Sequence, residues 1–231
     1  MNTRAPYSFP RAILLDFYGT VVQEDDVPIV EMCSQVAAAS PTGSTVAEIG
    51  SYWGRVYRQL CEESFGAAFR SQKHVELYSL QRVLDHFEAD LDGAALSKVL
   101  YDYWARPALC PESKEVLGRC AVPVCLVSNI DNKELQSALA HNGLHFDWVV
   151  TSEDCQAYKP RPEMFERALS LLGLPAASVL HVGDSFSSDV RGARSMGIPV
   201  LWINRKKRKV PDTGPVPDYV SIDLTGLLDV L

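Results

Sequence analysis

The sequence predicts an α/β protein: a Rossmann-like parallel sheet core with an inserted helical domain. Three observations carry this. Short apolar runs recur at residues 12–15, 122–127, 148–150, 179–182 and 198–203. They are continuous rather than alternating, as in parallel strands buried on both faces. Helical patterns separate the later runs. A long stretch with no strand signal follows the first run.

The elements follow in order. Ala12-Ile13-Leu14-Leu15 is the first strand. Residues 22–108 read as helices, over 46–69, 72–88 and 94–104, and hold ten of the 21 aromatic residues. The domains are therefore 1–21 with 109–231 as core, and 22–108 as a helical cap over a site. Residues 133–142 repeat apolar positions at helical spacing and stop at Gly143. Residues 162–172 open with Pro162 in a first turn and close at Gly173. Residues 189–196 form a third helix ending at Gly197. Residues 212–218 are a Pro-rich loop, and 219–231 read as a short strand and a final helix.

Composition excludes several classes. The chain has 231 residues and is 47% hydrophobic, enough for a sizeable core. Its net charge of −7 argues against general nucleic-acid binding. No apolar stretch approaches the ~18 residues of a membrane span, and the opening residues do not read as a secretory signal. Six cysteines without a C-x-x-C pair read as reduced thiols in a cytoplasmic protein. The five histidines show no paired ligand spacing, and His181 reads as a satisfied core residue. Arg205-Lys206-Lys207-Arg208-Lys209 reads as a solvated loop after the fifth strand. Dinucleotide, P-loop and serine-hydrolase motifs are absent.

Polar clusters close successive strands, where a parallel α/β sheet binds ligands. They are Asp16-Phe17-Tyr18-Gly19-Thr20, then Ser128-Asn129, then Tyr158-Lys159-Pro160, then Gly183-Asp184-Ser185 with Asp189 beyond. A carboxylate can act as a covalent nucleophile, and Asp16 is the candidate. Ser128 and Asn129 offer neutral donors to an anion. Lys159 supplies a compact positive charge. If Asp16, Asp184 and Asp189 converge, two carboxylates about 4 Å apart repel by roughly 4 kcal/mol at an effective dielectric of about 20. Such a cluster suits a hard cation, Mg²⁺.

These four motifs resemble those of the haloacid dehalogenase-like hydrolase superfamily, in its alpha-helical cap subfamily. The resemblance covers nearly the whole chain. It implies a Rossmann-like core with a cap and the active site between them. It assigns Asp16, the backbone carbonyl of Tyr18, and Asp184 as metal ligands, with Asp189 beside the metal or Lys159. Thr20, Ser128 and Asn129 fall to substrate binding, and Arg55, in Trp53-Gly54-Arg55, resembles a substrate arginine of dehalogenase caps.

The motifs point two ways. The superfamily's phosphatases usually carry a second aspartate where this chain has Tyr18. A phenol with a pKa near ~10 is a weak acid and no ready base at neutral pH. Tyr18 resembles the L-2-haloacid dehalogenase branch, where a departing halide needs no proton. Those enzymes carry Ser-x-Asn-x-x-Asp in the fourth motif and need no metal. Here Asp184 and Phe186 stand at the Ser and Asn positions, and Asp184 is phosphatase-like. The expected activity is a Mg²⁺-dependent phosphatase acting through an aspartyl-phosphate on Asp16, on a small phosphorylated molecule. A metal-independent 2-haloacid dehalogenase and a weakly active binding protein are the alternatives. A monomer and a homodimer are both compatible with the sequence.

Overall fold

The computed structural model describes residues 9–231. Residues 1–8, on which the signal reading partly rests, lie outside them. Six parallel strands run in the order β3-β2-β1-β4-β5-β6. They are β1 (Ala12–Leu15), β2 (Val124–Ser128), β3 (Trp148–Thr151), β4 (Val179–Gly183), β5 (Val200–Ile203) and β6 (Tyr219–Ser221). The chain moves out from β1 to β2 and β3, then returns to the other side of β1 for β4 to β6. The strand order thus reverses between β1 and β4, and the crevice there is the expected ligand site.

The alternation of side chains along each strand fills both faces. Ile13, Leu15, Leu126 and Val182 point into one core, and Ala12, Leu14, Val127 and Trp202 into the other. The four residues of β1 are completely buried, as a central strand covered on both sides requires.

Four helices are inserted between β1 and β2. They are α1 (Asp26–Ala39), α2 (Val46–Glu63), α3 (Gln72–His86) and α4 (Gly93–Ala105). Local sequence explains their starts. Thr45 and Glu48 form a capping box on α2, and Ser71 and Asp92 cap α3 and α4. Trp53, Leu80 and Trp104 of these helices join the core on the Leu15 face of the sheet.

The remaining helices are α5 (Ser113–Arg119), α6 (Asn132–Asn142), α7 (Ser152–Cys155), α8 (Pro162–Leu172) and α9 (Arg191–Ser195). α6 and α8 end on left-handed Gly143 and Gly173, where a side chain would be strained.

Several expectations need correction. α1 was not separately foreseen. Its Pro28 stands near the start, where the missing N–H costs nothing. α2 stops at Glu63, because the Ser64 hydroxyl turns to accept Arg70 N–H at 2.6 Å. The helix expected over 189–196 is a π turn at Phe186–Val190 followed by α9. The final helix is only a 3₁₀ turn, Leu224–Leu227. Among the described residues, no helix is long and apolar enough to cross a membrane.

Candidate active site

Asp16 is the first residue past β1. Its N–H extends the ladder to Val182 O at 2.9 Å, so the carboxylate stands at the β1/β4 crevice. The chain then turns sharply, with the N–H groups of Val21 and Val22 both donating to Phe17 O. Gly19 makes that turn possible. Its φ is +84°, and a Cβ there would lie 2.7 Å from the Asp184 carboxyl. The turn brings the Thr20 hydroxyl back to donate to Asp16 Oδ2 at 3.0 Å.

Lys159 is the hub. Its Nζ donates to Asp16 Oδ1 at 2.7 Å, Asp189 Oδ1 at 2.7 Å and Val127 O at 2.8 Å. Lys159, Asp16 and Asp189 are all buried. Burial alone would lower the Lys159 pKa, but the two carboxylates outweigh it and raise it, so the ammonium stays charged. Burial also works to raise Asp189, yet Lys159 and His181 win and hold it well below the usual carboxylate range. Asp16 is raised by burial and by the Asp189 charge, with Lys159 pulling the other way.

Asp189 is spoken for. Its Oδ1 meets Lys159 and His181 Nε2, the latter at 2.9 Å, and its Oδ2 accepts Ser185 N–H at 2.9 Å. It orients Lys159 rather than standing as a free metal ligand, which narrows the reading of Asp189 in the metal set. Gly183 permits this approach, since a Cβ there would sit 2.3 Å from Asp189 Cγ.

Asp184 is different. Its backbone carbonyl accepts from Trp202 Nε1 and Arg208 Nη2, both at 2.7 Å. Its carboxylate is hydrogen-bonded to Glu24, faces Asp16 and Asp189, and has Arg208 at 3.3 Å. Burial and those three charges push its pKa well above the usual carboxylate range. Carboxylate oxygens of Asp16, Asp184 and Asp189 lie within 4.8 Å of one another. At that spacing each pair repels by about 3 kcal/mol at an effective dielectric of about 20.

Two other motif residues hold the scaffold. Asn129 receives Lys159 N–H on its Oδ1 at 2.8 Å and donates Nδ2 to Lys159 O at 3.2 Å. It therefore fixes the lysine loop. Ser128 is buried at the end of β2, in register with Thr151. The helix foreseen over 133–142 starts at Asn132, three residues after Asn129. Asp131 accepts Gln72 N–H at 2.7 Å and Lys73 N–H at 3.1 Å, capping α3 and tying the inserted helices to the sheet.

Tyr18 is held through its side chain, and Arg55 does not reach the site. The Tyr18 hydroxyl donates to Trp104 O at 2.6 Å, on the last turn of α4. Burial and the nearby Asp25 and Glu134 charges raise its pKa well above 10.0, so it is a neutral tether and neither acid nor base. Arg55 is exposed, donates to Ser51 O at 3.3 Å and lies over Tyr52. The buried face of α2 carries Trp53, Val56 and Leu60, which leaves Arg55 turned away from the site. Arg58 lines a cavity beside Lys159 instead.

The basic run after β5 is solvent-exposed over 206–209, as expected, but Arg205 is half-buried. Arg205 donates to Gly19 O at 3.1 Å, Thr20 O at 2.8 Å and Glu112 at 2.6 Å, bracing the turn after Asp16. Lys206 pairs with Glu24 and Asp26, and Arg208 reaches Asp184. The signal was present: the run follows a strand end on the side where the other motifs stand.

Two adjoining cavities open at the site. One, of about 250 Å³, is lined by Arg58, Lys159, Arg161 and Arg191. The other, of about 340 Å³, lies among the inserted helices and is lined by Asp25, Trp53, Glu76 and Trp104. Asn129 and Tyr158 border both.

A buried carboxylate at a strand end, held by a lysine and facing a second acidic group, forms the centre of this site. The family model described as haloacid dehalogenase-like hydrolase matches residues 10–197, and the chain belongs to that family. Among its relatives, the (S)-2-haloacid dehalogenase of Pseudomonas sp. strain YL is 30% identical over 150 residues, 63% of this chain and 64% of the relative. The phosphoserine phosphatase of Thermus thermophilus is 29% identical over 175 residues, 72% of this chain and 60% of the relative. The matches thus span less than two thirds of either curated relative. The solved L-2-haloacid dehalogenase of Xanthobacter autotrophicus shares the fold, with a TM-score of 0.76 and 20% identity over 96% of this chain and 98% of that one.

Proposed function

We propose that the chain is a Mg²⁺-dependent phosphomonoester hydrolase acting on a small molecule, with core 1–21 and 109–231 and cap 22–108. The observation that carries this reading is Asp184. A buried carboxyl crowded by Asp16, Glu24 and Asp189, with one arginine at 3.3 Å, is a site short of positive charge. Hard oxygen donors fit Mg²⁺. Asp16, Asp184 and the Tyr18 backbone carbonyl would hold it, and when bound it would neutralise this charge and polarise a phosphoryl group.

The chain's own groups support the rest. Asp16 attacks phosphorus and forms an aspartyl-phosphate as the ester P–O bond breaks. Lys159, charged and fixed by Asp189, balances the Asp16 carboxylate before attack and the phosphoryl oxygens after it. Arg58, Arg161 and Arg191 supply positive charge along the phosphate path. Water then attacks the phosphorus of the intermediate, releasing phosphate and restoring Asp16. Tyr18 gives no proton to the leaving oxygen, so water or the substrate supplies it. The six free cysteines suit a reducing cytoplasm.

The second reading rests on that same Tyr18. A 2-haloacid dehalogenase loses halide without a proton, and Asp16 would attack carbon and form an ester. Acid-quenched turnover followed by mass spectrometry of the Asp16 peptide separates them. A phosphoryl adduct from an aryl phosphate supports the first reading. A carboxyalkyl ester from 2-chloropropionate, with no phosphoryl adduct, overturns it.

A further inference from the structure

The cavity among the inserted helices differs in charge from its neighbour. Two carboxyl groups line it, Asp25 and Glu76, and no lysine or arginine does among the described residues. The adjoining cavity carries Lys159 and three arginines. The two meet at Asn129 and Tyr158. The cleft therefore carries mostly basic groups beside the nucleophile, with Glu62 among them, and carboxyl groups in its second part.

Inside that second part, buried acceptors lack donors. Glu76 is fully buried; its Oε1 accepts the Ser97 hydroxyl at 3.1 Å, while its Oε2 has no partner. The nearby Tyr101 hydroxyl donates to Lys73 O at 2.9 Å and also stands close enough to Glu76 to lower its pKa. Gln72 is 8% exposed, and its Oε1 is likewise unpartnered. Asp25 receives one bond, from Trp104 Nε1 at 2.9 Å. A buried acceptor without a donor costs free energy that a ligand donor would recover. Trp53, Tyr57 and Trp104 supply aromatic surface in the same cavity. Carboxylates set among aromatic rings suit an ammonium, through ion pairing and cation–π attraction.

Resting on the phosphatase reading, we infer that the substrate is a zwitterionic phosphomonoester whose leaving group carries an ammonium, received by Glu76, Gln72 and Asp25 within the aromatic cavity. The phosphate then lies toward Lys159 and the arginines. Glu76 and Gln72 are specificity-determining residues in this arrangement, since they face the leaving group and not the reacting phosphorus.

The test has two arms. In the first, tryptophan fluorescence of the full chain is titrated with phenethylammonium and with its neutral isostere 2-phenylethanol. The ammonium should bind about tenfold tighter or more, and Glu76→Gln should narrow the difference. Equal binding of the two by the wild type overturns the inference, and this comparison needs no variant to fold. In the second arm, phosphate release is compared for 2-aminoethyl phosphate and propyl phosphate. A higher kcat/KM for the amino ester supports the inference. Equal turnover of both esters leaves the phosphatase reading standing and overturns the ammonium site. Release from neither ester nor from an aryl phosphate, with the ammonium preference kept in the first arm, overturns the phosphatase reading and leaves the cation site standing.

Discussion

Replacing Glu76 with glutamine should change how stability depends on pH, and the size of the change follows from its surroundings. Glu76 is fully buried on α3 with one carboxyl oxygen unpartnered. Burial raises its pKa from 4.5 to about 7; Tyr101 and Ser97 oppose the rise, and the Asp25 charge adds to it. The folded state therefore holds this proton more tightly than the unfolded chain does. Its stabilising effect is complete below about 4.5 and is lost as pH rises toward about 7. Each pKa unit is worth about 1.4 kcal/mol, so the loss is about 3 kcal/mol, most of it between pH 5 and 8.5. That is a large share of a typical folding free energy of about 5–15 kcal/mol. Glutamine copies the neutral carboxyl and does not titrate. Urea unfolding of wild type and Glu76→Gln at several pH values should give curves that diverge as pH rises, with the wild type falling faster. Other titrating groups cancel in the difference. Parallel curves would refute the reasoning, because they would mean Glu76 ionises in the folded protein at no cost.

Other substitutions probe the site itself. Lys159→Met leaves Asp16 and Asp189 buried without their shared cation, and should cost about 3–5 kcal/mol in denaturant unfolding and abolish turnover. Gly183→Ala drives a methyl into Asp189, displacing the group that holds Lys159. A misplacement of about 1 Å can cost around 10²-fold, so kcat measured by phosphate release should fall on that scale. Tyr18→Phe removes the bond to Trp104 O and should lower stability by about 1 kcal/mol in urea unfolding. Across a series of aryl phosphates, rates in both wild type and Tyr18→Phe should rise with leaving-group acidity. A slope that steepens in Tyr18→Phe would show the phenol to be the acid after all.

The strands were legible because a central parallel strand has no solvent face to encode. Ala12 to Leu15 and Val179 to Val182 are apolar at every position except His181, whose Nε2 meets Asp189 while its Nδ1 has no partner. The convergence of Asp16, Lys159, Asp184 and Asp189 was legible for a related reason, since strand ends in one parallel sheet lie side by side. What escaped were relations between elements far apart in the chain. Nothing in Asp25 or Glu76 marks them as lining one cavity, because the start of α1 and α3 are brought to it by packing on α2 and α4. Tyr18 gave no local sign that its hydroxyl would find Trp104 O, 86 residues away. Arg205 was read as solvent-facing because charge runs usually are, but its position after β5 turns it onto the loop after Asp16. Arg208 stays exposed while reaching Asp184. Arg55 and Arg58 lie one turn apart on the exposed side of α2, with one over Tyr52 and the other at the cleft.

The claim that Asp16 and Asp184 make this chain a metal-dependent phosphatase is tested most directly by product release. Purified protein is supplied with an aryl phosphate or with 2-chloropropionate, in Mg²⁺ or in EDTA, alongside Asp16→Asn. Phosphate release that needs Mg²⁺ and vanishes in Asp16→Asn is the predicted result. Chloride release that persists in EDTA, with no phosphate from the ester, would contradict it.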